Sequence, residues 1–510
     1  MISTVKSFYL NGIDAKITNV EVDIKSGTPY FSIVGLPANS IKESKDRVVP
    51  AIKNSGYYFD FQIIRINLTP ADVRKEGSSL DLPIAIGLLV SSDKLDTDKL
   101  EHYAIAGELS LDGTIRPISG ALSMAIATKR NNLDGILLPE ENSREAGVIK
   151  GIDVIPVSNF LDVVEFLKGT TDIEPVKVDF ESLFTETDHL DFFDVKGQYS
   201  VKRALEVAAA GSHNIIMIGP PGSGKTMLAR RLPSILPPMI LEESIEATMI
   251  HSISGKIQSG NSLLYERPFR SPHHTISDVA LIGGGSYPHP GEVSMAHNGV
   301  LFLDEFPEFK KTVLEVMRQP MEDGFVTIAR ASSTIEFPAN FMLVASMNPC
   351  PCGYHGSDVP SHECNCNNFQ IQRYLSRISG PILDRIDIHI EVPAVKYEEL
   401  SSNPTGEKSK HIRKRVVKAN KIQEQRFERT SINSNSSMIP KMIRKYCKID
   451  KDSDKLLSDA INRFGLSARA YDRILKVART IADLDEEENI QSRHISEAIQ
   501  YRSLDRKLLG

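Results

Sequence analysis

The chain has 510 residues, of which 41% are hydrophobic and 25% charged, and its formal net charge is -6. This length exceeds what one hydrophobic core supports, so two to four domains are expected. The net acidity excludes binding to nucleic acid through overall charge, so any such contact must be local. No apolar run approaches the roughly 20 residues of a membrane helix, and the N-terminus lacks a signal-peptide pattern. Five cysteines are too few for a disulfide scaffold, which favours a reducing cytoplasm.

Residues 1–168 alternate short β-type runs with amphipathic helical runs, which indicates an α+β domain. The predicted strands are 31–36, 61–68 and 135–141, and the predicted helices are 40–56 and 119–132. Residues 169–193 are acidic without a sustained period and are predicted to form a linker. A second α/β block spans 194–396. The remaining residues, 397–510, are predicted to be almost entirely helical and are rich in Lys and Arg.

A phosphate-binding motif of the form G-x-x-x-x-G-K-T begins the second block. It follows the apolar run 214–219, a predicted strand, and precedes a predicted helix that starts near Met227. Glycines let backbone N–H groups turn inward around phosphates, and the helix N-terminus adds a favourable dipole. We expect Lys225 to reach the β- and γ-phosphates of ATP and the Thr226 hydroxyl to ligate Mg²⁺. The predicted nucleotide-binding residues are Gly219, Pro220, Pro221, Gly222, Ser223, Gly224, Lys225 and Thr226.

Two acidic residues, Asp304 and Glu305, end an apolar run that starts at Gly299. Following a phosphate loop, such a run predicts the second half of an ATP site. We expect Asp304 to orient Mg²⁺ through its water shell and Glu305 to polarise the attacking water. Without the loop, an apolar run ending in two acids is more often a plain strand end.

A further apolar run, 341–347, ends at Asn348. Ligands of parallel α/β sheets bind at the C-terminal ends of strands, so Asn348 is expected beside the γ-phosphate, where it positions water. The alternative is that Asn348 only starts the turn before Pro349.

Four of the five cysteines form two C-x-C pairs within a short segment. They are Cys350, Cys352, Cys364 and Cys366. Four thiolates can hold a tetrahedral structural Zn²⁺, although this spacing is shorter than that of the usual C-x-x-C knuckle. Reduced thiols without a metal are the alternative. The adjacent His273 and His274 are attributed to loop packing rather than to metal binding.

Several segments of this sequence resemble those of a known protein family. GPPGSGKT, GVLFLDEF, ASMNPC and SGPILDRIDIHIEVP together resemble the magnesium-chelatase-like branch of the AAA+ ATPases. RPFRSPHHTISDVALIGGG and HPGEVSMAHNG resemble the ComM/YifB family in particular. The resemblance covers essentially the whole chain. It implies a homo-hexameric DNA helicase that uses ATP and Mg²⁺ and drives branch migration in natural transformation or recombination.

The resemblance also implies arginines that act on the nucleotide. AAA+ sites lie between subunits, and the segment LDRID matches the part of the family that carries the neighbour's arginine, so Arg385 is implied as the arginine finger. The alternative is that Arg385 only pairs with Asp384 or Asp387. The segment LSARAYDR resembles the start of the lid helix with the second sensor. It implies Arg469, with Arg473 one turn further along as the fallback.

Three segments are candidates for DNA contact. Residues 323–338 are predicted to form a β-hairpin, at the place where this AAA+ branch inserts a hairpin facing the central pore, and Arg330 near its tip is a candidate phosphate contact. The stretch 273–297, which contains three consecutive glycines, is a candidate for a second pore element. The basic stretch 408–429 is a third candidate. For each, ordinary solvent-exposed structure is the alternative.

The segments KEGSSLDLP and GELSLDGTIRP, both within residues 1–168, resemble the Lon-protease-like fold, whose architecture is that of the second domain of ribosomal protein S5. Ser79 falls at the place of the Lon nucleophile, but Met124 falls at the place of the lysine that activates it. A thioether cannot accept the proton, and Lys129 is more than one helical turn away. The sequence therefore predicts no peptidase activity. A chelatase-type ATPase that remodels a protein partner or inserts a metal remains the alternative to a DNA motor.

Overall fold

The computed structural model describes residues 2–58, 62–180, 190–257, 263–285, 288–330, 333–356, 363–394, 406–430 and 432–504. Its elements cluster into two units. The first unit comprises Met1–Thr185, Leu241–Tyr265 and Ala329–Phe337. The second unit comprises Glu186–Ile240, Glu266–Ile328 and Pro338–Gly510.

A four-stranded sheet starts the first unit. Its strands are β1 (Ile2–Asn11), β2 (Asp14–Ser26), β3 (Tyr30–Val34) and β4 (Gln62–Thr69). They lie in the order β1-β2-β4-β3, with β3 parallel to β4 and the other pairs antiparallel. In β2, Val20 and Val22 are buried while Asn19 and Glu21 are partly exposed, which is the alternation of a strand with one buried face.

Three helices accompany this sheet: α1 (Asn39–Lys42), α2 (Ser44–Asn54) and α3 (Asp81–Ser91). The single helix predicted over residues 40–56 is therefore two helices in the structure, α1 and α2. Helix α3 is buried along nearly its whole length and packs on β1 and β2. Gly87 allows the close approach, because a Cβ at this position would lie only 2.7 Å from Val22 Cγ2.

The rest of the N-terminal segment forms a second α/β layer. Its elements are β5 (Tyr103–Ile105), β6 (Glu108–Leu109), β7 (Ile115–Arg116), α4 (Ala121–Arg130), β8 (Gly135–Pro139), α5 (Glu140–Ala146), β9 (Asp153–Val157) and α6 (Phe160–Lys168). Strands β5, β8 and β9 form a parallel sheet. Beyond it, the Val176 and Val178 amides donate to the carbonyls of Val154 and Gly147, so this part of the predicted linker is hydrogen-bonded to the first unit.

A five-stranded parallel sheet forms the centre of the second unit. Its strands are β10 (Ile215–Ile218), β11 (Phe269–Arg270), β14 (Val300–Leu303), β17 (Met342–Met347) and β18 (Ile388–Glu391), in the order β11-β14-β17-β10-β18. β10, β14 and β17 are buried throughout and apolar except for Ser346 of β17, as expected for a parallel sheet covered on both faces. The helices between them are α7 (Tyr199–Gly211), α8 (Lys225–Arg231), α10 (Asp278–Ile282), α11 (Glu292–Met295), α12 (Lys311–Val316), α13 (Arg318–Asp323), α14 (Asn368–Leu375) and α15 (Gly380–Leu383).

Two further two-stranded sheets are formed by segments that follow β11 along the chain. They pair β12 (Gly283–Gly284) with β13 (His289–Pro290), and β15 (Phe325–Arg330) with β16 (Ser333–Pro338). The second pair confirms the two strands predicted within 323–338.

The C-terminal segment is helical, as predicted. It contains α16 (Ser409–Phe427), α17 (Pro440–Tyr446), α18 (Lys451–Phe464), α19 (Ala468–Leu484) and α20 (Ser492–Gln500). Buried apolar side chains such as Val416, Ile474 and Ile495 join the hydrophobic core of the parallel sheet. The predicted α/β fold class, with a parallel sheet followed by helices, is therefore confirmed.

Helix α9 (Leu241–Ile253) belongs to the first unit although the sequence division places it within 194–396. It packs on α4 through Leu122 and Met249, and the Gly120 amide donates a 2.9 Å hydrogen bond to Ser252 Oγ. Chain order alone does not reveal such a placement. The predicted domain borders themselves stay a prediction.

Candidate nucleotide-binding site

The phosphate loop joins β10 to α8. Gly222 and Gly224 have φ values of 75° and 87°, which only glycine adopts freely. The first residue of α8, Lys225, is buried, and its Nζ donates to the carbonyl oxygens of Gly219 (2.8 Å) and Pro220 (2.9 Å). Burial lowers the pKa of Lys225, although Asp304 opposes the effect. The loop thus turns at two glycines with positive φ and holds Lys225 through its own carbonyl oxygens.

The predicted magnesium residues are in contact. Thr226 Oγ1 donates to Asp304 Oδ2 at 2.7 Å, and the other oxygen, Oδ1, accepts hydrogen bonds from Ser346 Oγ and from the Glu305 amide. Strands β14 and β17 are parallel neighbours, so Asp304 and Ser346 lie side by side. A hydroxyl and a carboxylate held in this way are the donors that Mg²⁺ prefers.

Asn348 follows β17 and reaches the same place. Its Oδ1 lies 3.4 Å from Lys225 Nζ. The adjacent strand pairing, β10 with β17, brings the two residues together from distant parts of the sequence. Lys225, Thr226, Asp304 and Asn348 therefore form one cluster, while their catalytic roles stay predictions.

Glu305 has a left-handed backbone conformation with φ 53°, and its side chain is 56% exposed. Its Oε2 lies 3.1 Å from His274 Nδ1. His274 in turn packs on His273 with the two rings tilted and their centroids 4.1 Å apart, and it forms a T-shaped contact with Phe309. The two histidines pack as predicted for a loop, but one of them also contacts the predicted catalytic acid.

Arg385, the predicted finger, is buried in this structure. Its Nη1 donates to the Pro381 carbonyl at 2.6 Å, and its Nη2 pairs with Glu322. The alternative pairing with Asp384 or Asp387 is wrong, because Glu322 of α13 is the carboxylate that the guanidinium reaches. To act on a neighbour's nucleotide, Arg385 must leave Glu322.

The two sensor candidates differ in their surroundings. Arg469 is 64% exposed, and its Nη1 lies 3.8 Å from Asp384 Oδ2. Arg473 instead forms an ion pair with buried Asp387, whose other oxygen contacts His213 Nδ1 at 3.0 Å. Burial alone would raise the pKa of Asp387, but the charge of Arg473 and the hydrogen bond with His213 bring it well below its ordinary value. Arg473 is thus committed to this ion pair, which favours Arg469 as the sensor.

The four clustered cysteines converge as the zinc prediction requires. Their Sγ atoms all lie within 4.8 Å of one another. Cys350 Sγ is 3.3 Å from that of Cys352 and 3.8 Å from that of Cys364, and it accepts the Gly353 amide at 3.2 Å. Tetrahedral ligands about 2.3 Å from Zn²⁺ have S–S separations of roughly 3.8 Å, so this donor set fits the metal.

The DNA candidates are less defined. The side chain of Arg330 and residues 331–332 lie outside the described part of the chain. The basic stretch 408–429 forms α16, in which Arg415 pairs with Glu206 and Glu407, and Arg426 pairs with Asp483. Arg415 and Arg426 are therefore engaged in ion pairs within the protein, which accounts for part of the positive charge of this helix.

The Lon-like residues lie in the first unit. Ser79 precedes α3, and Met124 is buried in α4. The Lys129 ammonium donates a 2.7 Å hydrogen bond to the Lys150 carbonyl, and this contact is not part of a Ser–Lys dyad. A different lysine, Lys75, is fully buried and donates to backbone carbonyls, and burial lowers its pKa.

Sequence reasoning missed Ser346 and His274. Ser346 lies two residues before Asn348, and alternate residues of a strand share a face, so the sequence contained a signal for this residue. Nothing in the sequence linked His274 to Glu305, because their contact depends on which strands are neighbours.

Three family models match this chain. The family described as "Subunit ChlI of Mg-chelatase" matches residues 20–142. "Magnesium chelatase, subunit ChlI" matches 191–400, and its C-terminal family matches 406–502. Together with the phosphate loop and parallel sheet, these matches define a magnesium-chelatase-like AAA+ protein, a class that uses ATP and Mg²⁺. Within the described residues, no helix has the length and apolar character needed to cross a membrane.

The relatives specify the family. The chain is 42% identical over 503 residues to Competence protein ComM of Haemophilus influenzae, covering 98% of this chain and 96% of that protein. It is also 42% identical over 499 residues to YifB of Escherichia coli K12, with the same two shares. Lon protease 2 of Bacillus subtilis is 28% identical over 125 residues, covering 24% of this chain and 22% of that protein. The chain therefore belongs to the ComM/YifB family, and its N-terminal region has Lon-like similarity, as the sequence resemblance predicted.

Proposed function

We propose that this protein is a cytoplasmic ATP-hydrolysing motor that moves or remodels DNA, as a branch-migration helicase in recombination or natural transformation. The observation that carries the proposal is the similarity to Competence protein ComM along 98% of the chain. It is supported by the cluster of Lys225, Thr226, Asp304 and Asn348 at the ends of three parallel strands. ATP is the energy source in this proposal and DNA the substrate.

Each residue of the cluster has a part in the proposed reaction. Lys225 and the N–H groups of the phosphate loop hold the phosphates, and Thr226 and Asp304 hold Mg²⁺, which neutralises charge on the transferring phosphoryl group. Ser346 orients the Asp304 carboxylate through its hydrogen bond. Glu305 accepts the proton of the attacking water, and Asn348 orients that water.

The proposed assembly is a homo-hexameric ring with one site at each interface. Arg385 of one subunit serves the nucleotide of the next, and Arg469 senses the nucleotide from the helical segment. An arginine finger contributes about 10³–10⁵ to the rate of phosphoryl transfer. The ring therefore hydrolyses ATP, while an isolated subunit is nearly inert.

ATPase activity measured with and without DNA tests this function. Single-stranded or branched DNA is expected to raise turnover severalfold, with binding that weakens steeply with salt because it rests on phosphate contacts. Lys225→Ala abolishes the activity, whereas Lys455→Ala, a change at an exposed lysine of α18, leaves it intact. Unchanged turnover together with no DNA binding at low salt would contradict the motor.

The second candidate is a chelatase-like ATPase that remodels a protein partner or serves metal insertion. The matches to magnesium chelatase subunit ChlI favour it. It shares the ATP site but predicts turnover that ignores DNA. Peptidase activity is not part of either proposal, since Met124 replaces the lysine of a Ser–Lys dyad. Casein cleavage that Ser79→Ala abolishes would reverse that view.

We also propose that the cysteine cluster binds one structural Zn²⁺. Metal analysis of the purified protein is expected to give about one equivalent, because four thiolates close a tetrahedral site. Cys364→Ser should lower this content severalfold, and Cys447→Ala, a change at the one cysteine away from the cluster, should not. A metal content far below one equivalent in protein purified without chelators would refute the site.

A further inference from the structure

The turn that carries the first cysteine pair packs against the phosphate loop. The Met347 carbonyl, at the end of β17, accepts a 3.2 Å hydrogen bond from the amide of Gly219, the first residue of the loop. A Cβ placed on Gly353 would lie 2.6 Å from Pro221 Cδ and 3.8 Å from Asn348 Cγ. The backbone of this turn therefore borders both the phosphate loop and Asn348.

The same turn is folded around one sulfur of the cysteine cluster. Cys350 is fully buried, and its Sγ accepts hydrogen bonds from the amides of Gly353 at 3.2 Å and His355 at 3.4 Å. The Gly353 amide also donates to the Cys350 carbonyl at 3.0 Å. A group that fixes this sulfur therefore fixes the backbone of Gly353, and with it the surface that faces Pro221.

The second cysteine pair lies just before α14, a helix with a capping box at its N-terminus. Cys364 Sγ is 3.8 Å from that of Cys350 and 3.6 Å from that of Cys352. A thiol is a weak hydrogen-bonding group, so such contacts restrain the turn far less than bonds to a metal do. Closing the loop between the pairs with a metal removes many of the conformations otherwise open to it.

We propose that Zn²⁺ in the cysteine cluster controls the ATP site, because the loaded cluster holds the turn at Gly353 against Pro221 and Asn348. This inference rests on the proposed ATPase function and on the proposed zinc site. The metal takes no part in the reaction. Its loss loosens the phosphate loop, which weakens ATP binding, and it frees Asn348. A group displaced by about 1 Å loses much of its catalytic effect, so kcat falls as well.

The competing explanation is that the metal stabilises only its own loop. In that case its removal lowers the melting temperature but leaves the ATP site of the folded protein unchanged. The two explanations can be separated without unfolding the protein. Cys352, Cys364 and Cys366 are partly exposed, so a chelator reaches the cluster in the folded state.

Nucleotide binding and turnover of the full-length protein, with and without zinc, test the inference. A chelator that prefers Zn²⁺ to Mg²⁺ removes the metal, Mg²⁺ is replenished, and circular dichroism confirms that the protein remains folded. The Kd for a fluorescent ATP analogue is expected to rise severalfold and kcat to fall about tenfold, and added Zn²⁺ should restore both. Cys364→Ser should behave as zinc-free protein whether or not Zn²⁺ is added, whereas Cys447→Ala should respond as the wild type does.

A second measurement tests the contact that transmits the effect. Pro221→Ala removes the ring that Gly353 meets, so the ratio of the Kd values without and with zinc should fall towards one in this variant. Pro220→Ala is the matched control and should keep the wild-type ratio, since Pro220 is not among the nearest neighbours of Gly353. An unchanged ratio in Pro221→Ala overturns the inference.

Failure of this inference and failure of the proposed function give different results. Zinc-loaded protein that hydrolyses ATP, but whose analogue binding and kcat ignore removal of the metal, overturns this inference alone. Zinc-loaded wild-type protein without turnover, with or without DNA, overturns the proposed function and this inference with it. A zinc content far below one equivalent overturns the zinc site and its control of ATP binding together.

Discussion

At the scale of single residues, the candidate site depends on side chains from the ends of parallel strands. Lys225 lies 3.4 Å from Asn348, and Thr226 lies 2.7 Å from Asp304. Glu305 follows Asp304 directly in the chain and has a side chain that is 56% exposed, and we propose it as the base for the attacking water. Binding and hydrolysis are therefore assigned to different side chains and can be separated by mutation.

Lys225→Ala and Glu305→Gln are expected to lower kcat by at least about 10²-fold for different reasons. The first removes the cation that holds the phosphates and should also weaken nucleotide binding. The second keeps the shape of the side chain but removes its basicity, so binding should persist. ATPase rates and binding of a fluorescent ATP analogue measure the two effects. Substantial turnover in both variants would refute the assigned site.

At the scale of elements, two contacts join segments that are distant in sequence. The cysteine cluster follows β17 and turns at Gly353, where φ is 91° and an added Cβ would lie 2.6 Å from Pro221 Cδ of the phosphate loop. In the first unit, α9 meets α4, and buried Glu145 of α5 accepts a hydrogen bond from Asn142 Nδ2 at 3.0 Å. Each of these two contacts leads to a testable prediction, the first for Gly353 and the second for Glu145.

Gly353→Ala is expected to disturb the phosphate loop. The added methyl group meets Pro221, and alanine disfavours a positive φ, so the turn or the loop must shift. The KM for ATP should rise severalfold, with zinc content unchanged. Gly356→Ala is the matched control, since it shares the positive φ but meets nothing within 4 Å. Equal kinetics in the two variants would contradict the contact.

Glu145→Gln is expected to stabilise the protein at pH 8 but not at pH 5. Burial raises the pKa of Glu145 from 4.5 to about 7, despite hydrogen bonds from Asn142 and Ser252 that lower it. Between these values the folded state holds a proton that the unfolded chain releases, so wild-type stability falls as pH rises through this window.

Glutamine stays neutral at every pH, and the gain above pH 7 should be roughly 1–3 kcal/mol. Thermal unfolding at both pH values measures the difference, with Glu141→Gln at an exposed position of α5 as the control. A variant that gains nothing at pH 8 relative to pH 5 would contradict the buried, charged state of Glu145.

At the scale of the whole molecule, the question is whether the ATP site is completed by a second subunit. Arg385 lies on the chain just before β18 and pairs with Glu322 within its own subunit. Its proposed role requires it to exchange this partner for the neighbour's phosphate. A mixing experiment distinguishes action in the neighbour's site from action in its own.

Lys225→Ala and Arg385→Ala are each expected to be nearly inactive, whereas their mixture should recover ATPase activity. An Arg385→Ala subunit keeps its own phosphate loop, and an adjacent Lys225→Ala subunit supplies the missing arginine. Random assembly makes about a quarter of the interfaces competent in a closed homo-oligomeric ring. Recovery is measured after subunit exchange at equal concentrations, and a mixture no more active than its components would contradict the shared site.

The sequence by itself determined the fold class, the residues of the phosphate loop and several of the strands and helices. Apolar runs such as 214–219 and 341–347 are long enough and bounded sharply enough for local patterns to define strands. The convergence of Cys350 with Cys364 was also predictable, because the two pairs lie close along the chain.

Only the tertiary structure decided which of these residues meet. The pairing of β11 with β14 places His274 on Glu305, that of β14 with β17 places Ser346 on Asp304, and α13 supplies Glu322 to Arg385. Helix α9 likewise packs with the first unit despite its position in the chain. Local propensity fixes each element, but contacts between distant elements depend on strand order and on which surfaces bury one another, and neither is encoded in any single segment.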